Sequence, residues 1–345
     1  ILLLGLGKKK ELKTDNIRKA YAIAAKKIKN NYKSFSVVLP NTKIDNISQI
    51  ITEGIILGNY DFNKYKTVDK DKIKKINSIV ILNGNSKDIK KGKILAENTN
   101  AVRDLVNESA EKVTPSYLAN YAKRIAKSSK KTTVKVFDEK KIKKMKMGGL
   151  MAVSKGSSQK PRFIILDYKG KNEKPIILIG KGITFDAGGL DVKPAKYMED
   201  MRSDMGGAAT VIQTIKAAQD LNLKRHIIAI APSCENLLGE NAFKQGDIIK
   251  SYNGKTIEIK HTDAEGRLIL ADALGYADKK YKANAIIDIA TLTGASIYAL
   301  GYEIAALMSK DQKLKKELVE ASKKADEYLW ELPIIPEYED LVKSD

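Results

Sequence analysis

The 345-residue sequence carries 62 Lys and Arg against 42 Asp and Glu, a formal charge of +20, with 43% hydrophobic and 30% charged residues. That balance fits a globular chain of about two domains, at roughly 100–200 residues each, and excludes a disordered one. A single cysteine, Cys234, excludes an internal disulfide framework and any Cys-rich zinc module.

Taken in chain order, residues 15–30 place apolar side chains at helical spacing, 36–39 read as a short strand and 44–58 as a helix. SIVIL at 78–82 is a β-branched buried strand, and 91–106 a long helical pattern. Thr114 is expected to cap a helix opened by Pro115 and running to 127, with a strand at 133–137. These elements predict a smaller N-terminal α/β domain over 1–105, ending in a linker helix, and a second domain over 106–345. There, apolar strands at 162–168, 175–180, 226–231 and 283–290 alternate with helices at 206–221 and 264–277. The fold class is α/β: a central mixed, largely parallel sheet with helices on both faces. Asn253-Gly254 predicts an antiparallel hairpin between 248–252 and 256–259, added to that sheet.

The charge is unevenly placed. Residues 1–150 hold 34 Lys and Arg against 14 Asp and Glu, and the remainder holds 28 of each. In the basic half only Arg18, Arg103 and Arg124 are arginines, and aromatic residues are sparsely interleaved. Arginine is the usual reader of base edges, whereas lysine runs are commonly a solvated face. Nucleic acid is therefore not the predicted partner, although a DNA-binding or regulatory protein using this basic half is the alternative reading. The apolar runs at 1–7 and 20–25 are too short to span a bilayer, and ILLLGLG preceding KKK lacks the order of a secretory signal. No membrane partner and a cytoplasmic location are expected.

Three segments gather carboxylates and glycines at strand ends: GKGITFDAGGL..KP at 180–194, SDMGGAA at 203–209 and TDAEGRL at 262–268. In an open α/β sheet, sites form at the carboxyl ends of strands. Each segment alone also has a plain structural reading: turn glycines, or Asp263 as the N-cap of the helix that follows. Neither a P-loop nor a dinucleotide fingerprint fits the glycine order.

Together the three segments resemble the signatures of the leucine aminopeptidase (cytosol aminopeptidase) family, in order and separation. AVRDLVNESAEKVTP, MGGLMAVSKGSSQKPRF and ATLTGA resemble further landmarks of the same family. The resemblance implies a metal-dependent exopeptidase that removes the N-terminal residue, leucine among others, from small peptides. It implies two divalent ions per subunit (Zn2+ or Mn2+, with Mg2+ also compatible), and two ions are what four clustered acids would neutralise. In this correspondence Asp186 and Glu265 touch both ions, Asp204 and the amine of Lys181 complete one site, and Asp263 completes the other. As a ligand, Lys181 must be neutral, which nearby metal charge would enforce.

The same resemblance gives Lys193 and Arg267 the catalytic roles. Lys193 stays protonated to polarise the scissile carbonyl, and Arg267 holds a bicarbonate that serves as general base toward a metal-bridging hydroxide. Met201, Thr291 and Gly294 match pocket positions for the N-terminal side chain. It also implies a homohexamer, strands ahead of Ile1, and some tens of residues after Asp345 that include a Gly-rich stretch and part of the pocket. His226 is expected to be structural. His261 stands where the family usually has asparagine, and is not expected to be a ligand. A different two-metal hydrolase, such as a phosphatase, is the weaker competitor, because a ligating lysine without ligand histidines is atypical of one.

Overall fold

The computed structural model describes residues 1–68 and 73–344. They form two compact units: residues 1–107 with 216–222, and 108–215 with 223–344. In the first unit, α1 (Thr14–Ile28) buries Ile17, Tyr21, Ala24 and Ala25, the spacing of one helical face. Strand β1 (Ser34–Val38) is followed by α2 (Ile47–Gly58) and β2 (Ser78–Leu82). The strands pair in parallel from Ser34↔Ser78 to Val38↔Leu82, and α2 lies in the connection that a parallel pair needs. Ile17, Tyr21, Val37, Ile50, Ile51 and Ile55 make the core of this unit. Helix α3 (Ser86–Asn107) begins five residues before the predicted start. Asn85 accepts hydrogen bonds from the N–H groups of Lys87 (3.0 Å) and Asp88 (3.1 Å), a capping signal that lies outside the apolar periodicity.

The second unit opens with α4 (Pro115–Lys127), where the Thr114 hydroxyl accepts from the Tyr117 N–H at 3.2 Å. Next come β3 (Thr132–Phe137), α5 (Glu139–Lys144), α6 (Gly148–Val153), β4 (Arg162–Lys169), β5 (Ile176–Gly180) and β6 (Gly182–Asp186). The chain continues through α7 (Ala195–Met198), α8 (Gly206–Asp220), β7 (His226–Asn236), β8 (Ile248–Lys250), β9 (Thr256–Glu258) and α9 (Glu265–Lys280). Then follow β10 (Ala285–Ile289), α10 (Ala295–Leu300), β11 (Ile304–Leu307), α11 (Gln312–Ala325) and β12 (Tyr328–Glu331).

The central sheet has six strands in the order β10-β5-β7-β4-β3, with β6 also on β7. Only β4 runs against the others, so the sheet is mixed and largely parallel, as predicted. Its strands contribute Phe163, Ile165, Ile177, Ile179, Ile228 and Ile230 to a core closed by Leu268, Ile269, Ala273 and Tyr276 of α9.

β7 outruns its predicted end at 231. It pairs first with β5, through Ile227–Ile230, and then with β6, from Ser233 onward. Pro232 falls at the junction between these two partners, where a residue without an N–H is tolerated. The hairpin forms around Asn253-Gly254 but does not join the central sheet; β8 and β9 make a two-stranded sheet of their own. Its apolar residues Ile249, Tyr252 and Ile257 pack on the core, and the Tyr252 N–H donates to Asp272 of α9 at 2.7 Å, so the hairpin is held on the helical layer. The carboxyl ends of β5, β6, β7 and β10 carry Lys181, Asp186, Asn236 and Thr291.

Candidate metal centre

Lys181 fills the one-residue break between β5 and β6. Its N–H donates to the Ile289 carbonyl at 3.0 Å, and its carbonyl accepts from the Ala208 N–H at 2.8 Å. Chain contact is so close here that a Cβ on Gly207 would lie 2.1 Å from the Ile289 carbonyl oxygen. The side chain runs inward, and Nζ reaches Asp204 Oδ2 at 2.9 Å, Glu265 Oε1 at 2.8 Å and the Thr291 carbonyl at 3.0 Å. Asp204 ends the 3-10 turn Met201–Ser203 and accepts from the Thr291 hydroxyl at 2.7 Å. Glu265 is the first residue of α9. A Cβ at Gly266, the next position, would lie 2.7 Å from Lys181 Nζ, so only glycine leaves the amine its place.

A second ammonium serves the other side. Lys193 Nζ lies 2.9 Å from Asp186 Oδ2 and also contacts Asp263 Oδ1. Asp186 Oδ1 accepts from the Gly188 N–H and from Asn236 Nδ2, both at 2.9 Å. Asp186, Asp263 and Glu265 bring carboxylate oxygens within 4.8 Å of one another.

Lys181, Asp186, Asp204 and Glu265 are all at most 4% exposed. Charges in such a place are strongly destabilising unless compensated. Four carboxylates face two ammonium groups, leaving an excess of negative charge. Burial accordingly pushes Asp204 up to about 7 despite Lys181, and raises Glu265 and Asp263 above the ordinary carboxylate range. Burial pulls Lys181 downward, but Asp204 and Glu265 outweigh it and hold the amine above its ordinary value. Asp204 Oδ2, Asp263 Oδ1 and Glu265 Oε1 are buried within ion-pair reach of an ammonium, yet receive no well-aligned hydrogen bond. Convergent, under-satisfied carboxylate oxygens of this kind suit divalent cations with hard oxygen ligands.

The predicted ligands Lys181, Asp186, Asp204, Asp263 and Glu265 thus converge, together with Lys193. Asp263 is not a helix cap: α9 begins at Glu265 behind Ala264, with no side-chain cap. The Arg267 side chain lies exposed on α9, with no hydrogen bond or ion pair among the described residues. Met201 is half-buried and its carbonyl accepts from the Asp204 N–H at 3.3 Å, while Gly294 precedes α10 in open space. His226 binds the Glu173 carbonyl and Asp167, both at 2.8 Å, through its two ring nitrogens. His261 Nδ1 accepts from the Asp263 N–H at 3.1 Å, a turn contact that an asparagine side chain also makes.

Sequence reasoning passed over Asn236 and Thr262. Asn236 Nδ2 also donates to the Thr262 carbonyl at 3.1 Å, and the Thr262 hydroxyl donates to the Gly188 carbonyl at 2.7 Å. Asn236 lies beyond the predicted end of β7, so its place at a strand terminus was hidden.

Comparison with known proteins agrees with this geometry. The model of the cytosol aminopeptidase family's catalytic domain matches residues 100–345, and that of its N-terminal domain matches residues 1–69. A probable cytosol aminopeptidase of Chlorobaculum tepidum is 45% identical over 318 residues, covering 88% of this chain and 63% of the relative. Probable cytosol aminopeptidases of Protochlamydia amoebophila and Clostridium perfringens are 39% and 41% identical, covering the whole chain and 71% and 73% of their own lengths. The chain therefore spans between 63% and 73% of these three relatives. The solved structure of the bottromycin maturation enzyme BotP in complex with Mn superposes with a TM-score of 0.92 at 29% identity, over 99% of this chain and 74% of that one. The chain belongs to the cytosol aminopeptidase family.

Proposed function

We propose that the protein is a metal-dependent aminopeptidase that releases the N-terminal residue, leucine among others, from small peptides. The observation that carries this reading is the convergence of Lys181, Asp186, Asp204, Asp263 and Glu265, from three separate segments, on one buried and under-neutralised cluster. These five residues would hold two divalent ions, Mn2+ or Zn2+ with Mg2+ also compatible, of which Asp186 and Glu265 would face both. When bound, such ions supply Lewis acidity and a water activated at neutral pH.

The chain's own groups do the rest. Lys193 is held protonated: burial opposes the charge, but Asp263 and Asp186 raise its amine well above the ordinary value. From the edge of the carboxylate cluster its ammonium would donate to the oxygen of the scissile carbonyl and stabilise the charge that develops there. The exposed guanidinium of Arg267 would hold a bicarbonate ion, whose oxygens would accept the proton of the attacking water. Thr291 fixes Asp204 by its hydroxyl, and Met201, Thr291 and the open space at Gly294 would line the pocket for the N-terminal side chain. A homohexamer, a cytoplasmic location and a catalytic unit over 106–345 belong to the same proposal and rest on family membership.

The test is release of an aminoacyl chromophore. Chelated protein should give no signal, Mn2+ or Zn2+ should restore it, and the N-acetylated substrate should remain uncut. Full activity on the acetylated substrate would contradict exopeptidase action.

A further inference from the structure

We infer that Asp191 is a positioning residue that locks the segment carrying Asp186 and Lys193 onto the segment carrying Asp263 and Glu265, and so sets the spacing of the metal-binding carboxylates. This rests on the metal-hydrolase reading above and adds to it a residue outside the ligand set.

The lock is reciprocal. Asp191 Oδ2 accepts from the Thr262 N–H at 2.6 Å, while the Asp191 N–H donates to the Thr262 hydroxyl at 2.8 Å. That hydroxyl donates back to the Gly188 carbonyl at 2.7 Å, so both ends of the 188–191 segment are tied to one fully buried side chain. The other carboxylate oxygen, Oδ1, accepts from Gln245 Nε2 at 2.7 Å, which brings in a third segment. Across Thr262, Asn236 bridges the Thr262 carbonyl to Asp186 Oδ1.

Thr262 is thus gripped from both sides, and its immediate neighbour is Asp263. Lys193 follows Asp191 by two residues, so the contact of Lys193 with both Asp186 and Asp263 depends on where this lock holds the two loops. Each carboxylate oxygen of Asp191 takes one of these partners, Thr262 or Gln245, and the bonds are the short kind formed to a charged acceptor. Partners that orient ligands in this way are worth about 10–100-fold in metal affinity or activity.

The experiment is Mn2+ titration by calorimetry of full-length wild type, Asp191→Ala and Asp191→Asn, with steady-state kinetics on an aminoacyl chromophore at saturating Mn2+. Asp191→Ala should bind Mn2+ about 10–100-fold more weakly and lose kcat in the same range, with KM within about twofold of wild type. Asp191→Asn keeps an acceptor for the Thr262 N–H and should recover to within about threefold of wild type on both measures. Should Asp191→Ala fail to fold, Gln245→Ala, at an exposed position, is expected to weaken Mn2+ binding toward the lower end of that range. Wild-type Mn2+ affinity in Asp191→Ala, or in Gln245→Ala if it is the variant used, would overturn the inference. So would failure of the Asn variant to rescue, or a raised KM at unchanged kcat. If wild type binds Mn2+ and the variants rank as expected but no substrate is cut, the lock stands and the aminopeptidase reading falls. If wild type binds no Mn2+, both fall.

Discussion

Two lysines stand among four acids, and their environments assign them different work. Lys181 touches Asp204 and Glu265, with its stem pressed against Gly266, whereas Lys193 touches Asp186 and Asp263 from a less buried position. Lys193→Ala should therefore retain Mn2+ binding by calorimetry while kcat falls about 10²–10³-fold, the usual cost of removing one oxyanion donor. Glu265→Gln should instead lose the metal itself. Asp204 provides the pH signature. Burial pushes its carboxyl up to about 7. A carboxyl raised in the folded state contributes stability that is full below its ordinary pKa near 4 and is lost as pH rises through about 7. The melting temperature of metal-free wild type relative to Asp204→Asn should accordingly decline between pH 4 and pH 7, and Mn2+ should remove the decline. Each of these residues was legible in the sequence because it sits in a dense motif. Thr262 and Asn236 were not singled out, because their importance is relational: one is gripped between two loops, the other ends a strand that continues past a proline.

At the scale of elements, the strand-end loops are fixed from behind by α9. Buried Asp272 accepts from the Leu150 N–H at 2.8 Å and the Tyr252 N–H at 2.7 Å, joining α9 to the start of α6 and to the hairpin. Asp272→Ala leaves those donors buried and unpaired and should destabilise the fold on the order of 3 kcal/mol, measured by urea unfolding. Gly266→Ala makes the opposite test. Alanine favours a helix by up to about 1 kcal/mol over glycine, so the helix should hold while the added methyl displaces Lys181 and weakens Mn2+ binding. Periodicity located α4 and most sheet strands closely because their apolar residues face one core. It placed the hairpin correctly by its Asn-Gly turn but not its docking, since Ile249, Tyr252 and Ile257 suit a helical layer as well as a sheet edge. The order in which β5 and β6 share β7 is a matter of chain path, and no local pattern encodes it.

For the whole molecule, the charge of +20 with which the sequence presents itself belongs to its first 150 residues, while the acids of the metal centre lie in the electrically neutral remainder. Among the described residues no helix is long and apolar enough to cross a membrane. The lysine excess should produce DNA retention only at low salt, and a gel shift repeated at physiological salt should show none, because such binding is counterion release. The reaction depends instead on how many cations the carboxylate cluster takes up. That makes metal stoichiometry against activity the most direct measurement: chelated protein titrated with Mn2+, with bound metal and release of an aminoacyl chromophore followed together. Two ions per chain, with activity appearing only as the second binds and neither seen in Glu265→Gln, is the predicted result. Activity in the metal-free protein, or two bound ions with no cleavage, would contradict it.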